Sequence, residues 1–207
     1  MKKIGVLVLA AGKSSRMNSI KQLEKIDGKT ILDITLTKIK TLFDDNIYCV
    51  LGANATIIKQ EITSKKTTFI TNKNFKQGLS SSIVTGLQYF KNNQFIFEGV
   101  LILLADQPAI EISYLESMID LFEEHPTKII ASNYGNMLGV PALFPSIYLN
   151  ELLLIKGDKG AKEFINQKRG DVICPQESTN LVDLDTQEDL IQFIKSKEKT
   201  ATKVLII

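Results

Sequence analysis

The chain opens on an apolar run from Ile4 to Leu9 that empties abruptly into Ala10-Ala11-Gly12, then Lys13, Ser14, Ser15 and Arg16. A continuous run of that length reads as a strand buried on both faces, the habit of parallel sheets. The loop that follows suits a nucleoside triphosphate. Ala10, Ala11 and Gly12 carry almost no side chain, so backbone N–H groups can approach phosphate oxygens. Lys13, Arg16 and Lys21 add positive charge, and Ser14 and Ser15 add donors. The spacing lacks the Gly-Lys-Ser/Thr ending of the P-loop and the three glycines of the dinucleotide fingerprint, which excludes both. Taken alone, Gly-Lys-Ser-Ser is also a strand-to-helix turn with a solvated basic face.

Strand and helix patterns alternate along the rest of the chain. Helical spacing occurs at Leu32, Leu36, Ile39 and Phe43, at Ile83, Leu87 and Phe90, and at Leu115, Met118, Ile119 and Phe122. Ser113 and Glu116 read as a capping box for the third of these, with Ile112 as the apolar residue before the cap. Strands are expected at Ile47–Leu51, Thr67–Thr71, Val100–Leu104, Lys128–Ala131, Val140–Phe144 and Asp171–Ile173. This alternation implies an α/β fold with a doubly wound, mostly parallel sheet in a single domain, which binds ligands outside the carboxyl ends of its strands. The loops after Leu9 and Leu104 open there. The domain is expected to span residues 1–195, with 196–207 a polar, fraying tail that ends in the apolar stretch Val204 to Ile207.

Composition narrows the function. A chain of 207 residues with 44% hydrophobic content supports one core of ordinary size. Its net charge of +2, with both signs interspersed, gives no basic face for a nucleic acid or a membrane surface. Cys49 and Cys174 form no zinc pattern and read as buried thiols in a reducing compartment, and no signal segment or spanning run is evident, so the cytoplasm is the expected compartment. His125 is the only histidine and sits before Pro126 at a helix end, which argues against a Ser-His-Asp triad.

Four further stretches carry chemistry. Asp106-Gln107-Pro108 places a carboxylate directly after a buried strand, where a hard oxygen ligand suits Mg²⁺, although Asp-x-Pro also opens turns. Leu181 to Leu190 holds Asp183, Asp185, Glu188 and Asp189, and its local reading is a cap at Asp185 or Thr186 with acids on the first helical turn. Gly78, Ser80, Ser81 and Ser82 stand at a helix start, a place for a base edge or a phosphate. Gly139-Val140-Pro141 and Gly157-Asp158-Lys159-Gly160 are loop motifs, the latter reading alone as a helix C-cap glycine followed by a new helix start.

Leu9-Ala10-Ala11-Gly12-x-Ser14-x-Arg16-Met17, with Lys21 four residues beyond the Met, closely resembles the N-terminal motif of the MobA-like nucleotidyltransferases, particularly the molybdenum cofactor cytidylyltransferase branch. The later motifs follow in the family's order from Ile4 to about Ile194. The departures are Asn18 for the usual Gly, Gln187 for a Pro, and Val140 where a polar residue, commonly His, precedes Pro141.

The resemblance implies a nucleotidyltransferase that moves CMP from CTP onto the phosphate of a molybdopterin-type cofactor, with an acceptor molybdoenzyme as its partner. It places nucleotide contacts at Leu9 to Ser14 with Gly78, Ser80 and Ser82. Mg²⁺ falls to Asp106 and Asp185, with Asp183 the competing assignment, and catalysis to Arg16, Lys21 and Asp106. Contacts to the second substrate fall to Gln107, Pro108, Gly139, Pro141, Gly157, Asp158 and Gly160. The rival readings are a guanylyltransferase, a sugar- or polyol-phosphate cytidylyltransferase, and a non-catalytic carrier.

Overall fold

The computed structural model describes residues 3–14, 16–17, 19–43, 45–64 and 66–204, with side chains of the last helix described to residue 197. Ser15, Asn18 and the final three residues of the apolar tail lie outside the described residues.

The Ile4–Ala10 strand, β1, is buried along its whole length, as an interior parallel strand must be. A short hairpin of β2 (Lys25–Ile26) and β3 (Lys29–Thr30) leads into α1 (Ile31–Leu42), capped by Thr30, whose hydroxyl accepts the Asp33 N–H. Then come β4 (Ile47–Leu51), α2 (Ala55–Glu61), β5 (Thr68–Thr71), α3 (Leu79–Asn92), β6 (Gly99–Leu104) and α4 (Ile112–Glu124). The chain closes with β7 (Ile129–Asn133), β8 (Leu138–Pro145), α5 (Leu149–Leu152), α6 (Lys162–Gln167), β9 (Val172–Ile173) and α7 (Gln187–Val204).

Seven strands form one sheet in the order β5-β4-β1-β6-β8-β7-β9, in which only β8 runs against its neighbours. Alternate residues of β1 feed opposite cores. Val6 and Val8 pack with Leu32 and Leu36 of α1 and Met118 and Phe122 of α4. Leu7 and Leu9 pack with Ile83, Leu87 and Phe90 of α3. Helices thus cover both faces, as the doubly wound reading requires. A third, smaller cluster joins Met17, Ile26 and Ile31 to Leu184 and Leu190, and so pins the loop after β1 to the segment that enters α7.

Several local expectations are corrected. Ser113 does not cap α4: the helix begins at Ile112 with Glu111 in the cap position, and Glu111 donates its N–H to Thr179 Oγ1. Burial of Ile110 favours that start, because it holds the chain against the core three residues ahead of the supposed cap. Gly157 is not a helix C-cap: α5 ends at Leu152, and Gly157 lies in the following loop at φ +83°, with α6 starting only at Lys162. The segment from 195 onward, expected as a polar tail, is helical as far as Val204, where it continues α7. Helix α2, which has only Ile58 fully buried, gave no periodic signal. Among the described residues no helix is long and apolar enough to cross a membrane; both cysteines are free, Cys49 buried as expected and Cys174, just after β9, only partly so.

Candidate active site

β1 and β6 are neighbours with Leu9 opposite Leu104, so the loops beginning at Ala11 and Ala105 leave the sheet side by side. From β1 the chain winds outward to β4 and β5, then returns to β6 on the other side, and open parallel sheets bind ligands in the crevice at such a reversal. A cleft of about 290 Å³ opens there, lined by Leu9 to Gly12, Lys21, Gln22, Phe75, Gly78, Ser82 and Asp106 among others. A second, of about 260 Å³, shares Leu9, Leu79 and Leu104 with it and extends past Gln107, Tyr134, Gly139, Val140, Lys159 and Asp183.

Lys21 is the electrostatic centre. Its Nζ donates to Asp106 Oδ2 and, at 2.9 Å, to Asp185 Oδ1, while Arg16 reaches Asp185 Oδ2 at 2.9 Å. The Lys21 side chain is only 12% exposed against 68% for Arg16, so solvent screens the second contact far more. Burial opposes the Lys21 charge, yet the two carboxylates outweigh it and raise its pKa. Burial likewise opposes the charge on Asp185, and Lys21 and Arg16 overcome it, holding the carboxyl below its usual range.

Backbone ties place these groups. The Leu184 N–H donates to the Asp106 carbonyl at 2.9 Å, which registers the two acidic segments against each other. Thr35 of α1 donates to the Ala105 carbonyl at 3.1 Å. Thr186 is the cap that opens α7, exchanging hydrogen bonds with Asp189, and this leaves Asp185 free to face Lys21. Asp183 lines the second cleft instead.

The donor set suits a divalent cation of the hard type. Asp106 Oδ1 is buried and has no hydrogen-bond partner among the described residues, an expensive state for a carboxylate oxygen unless something positive meets it. Mg²⁺-type ions take one or two carboxylates and leave their other positions to water and phosphate; Asp106 Oδ1 is open to such an ion, whereas Asp185, whose two oxygens are taken by Lys21 and Arg16, would join it only by giving up a cation. No group of three or more His, Cys, Asp or Glu side chains placed to hold a metal occurs among the described residues.

The remaining predicted residues fall into three places. Ser14 adopts a left-handed backbone at φ +56° and turns the loop toward Met17, and exposed Lys13 lies 5.9 Å from the Phe75 ring centroid. Gly78 joins two motifs: at φ +92°, a Cβ there would stand 2.2 Å from Asp158 Oδ1 and 2.6 Å from the Gly157 carbonyl oxygen. Ser82 lines the first cleft and accepts from Asn72 Nδ2 at 3.1 Å, whereas buried Ser80 donates to the Gly160 carbonyl. Gln107 and Gly139 line the second cleft, whereas the Pro108 and Pro141 carbonyls are engaged by Lys38 and Ser132. Lys159, Ala161 and Lys162 line that cleft in place of Gly157, Asp158 and Gly160.

Residues 6–172 match the family model of the MobA-like NTP transferase domain. The chain belongs to that family. As a nucleotidyltransferase domain of the MobA-like kind, it is 35% identical over 118 residues to the bifunctional protein GlmU of Francisella philomiragia, a stretch covering 56% of this chain and 25% of that one. The chain thus matches about a quarter of the length of such curated relatives. Among solved structures, Rv0371c from Mycobacterium tuberculosis is similar over 94% of this chain and 98% of its own, at 26% identity and TM-score 0.81. A complex of Rv0371c with manganese is similar at 25% identity and TM-score 0.76, over 94% and 99% of the two chains.

Two side chains of this MobA-like site gave no signal in the sequence. Gln22 is buried under the loop after β1 and donates from Nε2 to the Ala10 carbonyl at 2.9 Å. Lys38 reaches from α1 to the Pro108 and Ile110 carbonyls at 2.6 and 2.8 Å, and burial lowers its pKa. Both are polar residues on otherwise unremarkable stretches, and only the tertiary fold reveals what they touch.

Proposed function

We propose that this protein moves CMP from CTP onto the terminal phosphate of a molybdopterin-type molybdenum cofactor and releases pyrophosphate. The observation that carries the reading is Lys21 seated between Asp106 and Asp185 at the mouth of a small-residue loop, beside a second cleft that can seat the acceptor.

The reaction is an in-line attack of a phosphate oxygen on the α-phosphorus: a new P–O bond forms, and the bond to pyrophosphate breaks. A phosphate monoester has a second pKa near ~6, so the attacking oxygen is already ionised at neutral pH and needs no protein base. The chain's task is then to position the reactants and neutralise charge. Gly12 admits the phosphates, and Lys21 and Arg16 face the negative charge that grows on the leaving group. Asp106 and Asp185 would hold Mg²⁺, which when bound supplies charge neutralisation on the phosphate oxygens.

Cytidine is preferred in this reading because Ala10-Ala11-Gly12 carries one more methyl than an Ala-Gly-Gly loop, leaving less room for loop and base together and favouring the smaller ring. Thermal stabilisation by CTP and by GTP with Mg²⁺ tests this, since a ligand bound only to the native state raises the melting temperature by mass action. CTP should shift it more. An equal or larger shift with GTP contradicts the cytidylyl assignment.

A further inference from the structure

We infer that Gln22 is the positioning residue that presents the loop after β1 to the triphosphate. This rests on the reading that the loop binds phosphate. Gln22 is 4% exposed and its side-chain amide is fully used. Nε2 donates to the Ala10 carbonyl at 2.9 Å and the Gly12 carbonyl at 3.3 Å, while Oε1 accepts from Ser14 Oγ at 3.3 Å. Ser14 Oγ in turn accepts the Lys21 N–H at 3.0 Å. The network fixes the amide's orientation, because a flipped amide would set its oxygen against two carbonyl oxygens.

A trans peptide holds its C=O and N–H on opposite sides. Carbonyls of Ala10 and Gly12 drawn toward Gln22 therefore turn the N–H groups of Ala11 and Lys13 away from it. Among the described residues, none of the N–H groups of Ala11, Gly12 and Lys13 has a protein acceptor. Successive unclaimed amides, two of them on residues with little or no side chain, can together take up an anion. A Cβ on Gly12 would meet nothing within 4 Å, so space remains on the loop's outer side for the phosphates. The chain from Lys21 N–H through Ser14 to Gln22 also couples the loop's shape to the lysine between the carboxylates. One buried amide thus sets both the phosphate cradle and the backbone of Lys21.

The test compares the full chain with Gln22→Met and Gln22→Glu, measuring Kd by calorimetry for CTP and for cytidine, which lacks the phosphates. The unsubstituted protein is expected to bind CTP far more tightly than cytidine. Gln22→Met should weaken CTP at least ~10-fold, the scale of losing hydrogen bonds that shape a site, and leave cytidine unchanged. In Gln22→Glu a carboxylate faces two carbonyl oxygens at neutral pH, so CTP binding should be weak there and recover as pH falls and the carboxyl protonates, while cytidine binding stays level over the same range, a split that a purely structural defect would not give. An unchanged CTP-to-cytidine ratio in Gln22→Met overturns the inference, as does a flat pH profile in Gln22→Glu. Equal binding of CTP and cytidine by the unsubstituted protein overturns the phosphate-loop reading, and this inference with it.

Discussion

Lys21 Nζ lies between Asp106 Oδ2 and Asp185 Oδ1, bringing together residues 85 and 164 positions distant in the chain. Without the cation the two carboxylates would share a partly buried site with only the exposed Arg16 to compensate them, which is costly. Lys21→Met is expected to cut turnover by at least ~10²-fold, the usual scale for losing one charged transition-state contact, and to weaken CTP binding less. Steady-state kinetics with a direct CTP titration checks this. Equal losses in turnover and affinity would reduce Lys21 to a nucleotide-holding role.

Asp106→Asn keeps the shape of the side chain and removes its charge. Transfer should be abolished and the melting temperature nearly unchanged, because the group sits after β6 at the cleft and outside the core. Near-normal turnover across a Mg²⁺ titration would show that Asp106 is not a metal ligand.

Gly12→Ala should fold as stably as the parent, since the added methyl meets nothing within 4 Å. Only an incoming phosphate would clash with it. The expected result is an unchanged melt with a KM for CTP raised by ~10-fold or more, and an unchanged KM would deny that the triphosphate lies over this glycine.

What the sequence made legible follows from local physics. The buried run of β1, the small residues after it and the carboxylate after β6 each advertise themselves in a short window. Asp185 and Lys21 were assigned through motif resemblance, and their contact rests on the small core of Met17, Ile26, Ile31, Leu184 and Leu190, which no local pattern announces. Gln22 and Lys38 act through backbone carbonyls of distant segments, so residue type alone could not mark them. The misread cap at Ser113 shows the reverse: a good local signal yielded to burial of Ile110.

That small core also makes a stability prediction. Met17 is 1% exposed, and Met17→Ala should destabilise the fold by about 2–5 kcal/mol, the range for a buried Met truncated to Ala. Activity should fall at temperatures where the fold is intact, because Arg16 and Lys21 flank the lost anchor. A denaturant melt shifted by less than ~0.5 kcal/mol would mean that the segment is held by other contacts.

The two thiols should differ in reactivity. Cys49 is wholly buried in β4, and burial pushes its thiol far above the usual range, while half-buried Cys174 is raised by the same cause to a lesser degree. A thiol-exchange reagent should modify Cys174 in the native protein and Cys49 only on unfolding. Rapid native modification of both would contradict the packing of β4.

Pyrophosphate release from CTP in the presence of molybdopterin and Mg²⁺ tests the central claim most directly. Release is expected to require both substrates, with kcat/KM for CTP ~10- to 200-fold above that for GTP, the discrimination that a single methyl or hydrogen bond provides. Nucleotide binding with no pyrophosphate would make the protein a carrier, and release with GTP equal to or better than CTP would contradict the cytidylyl assignment.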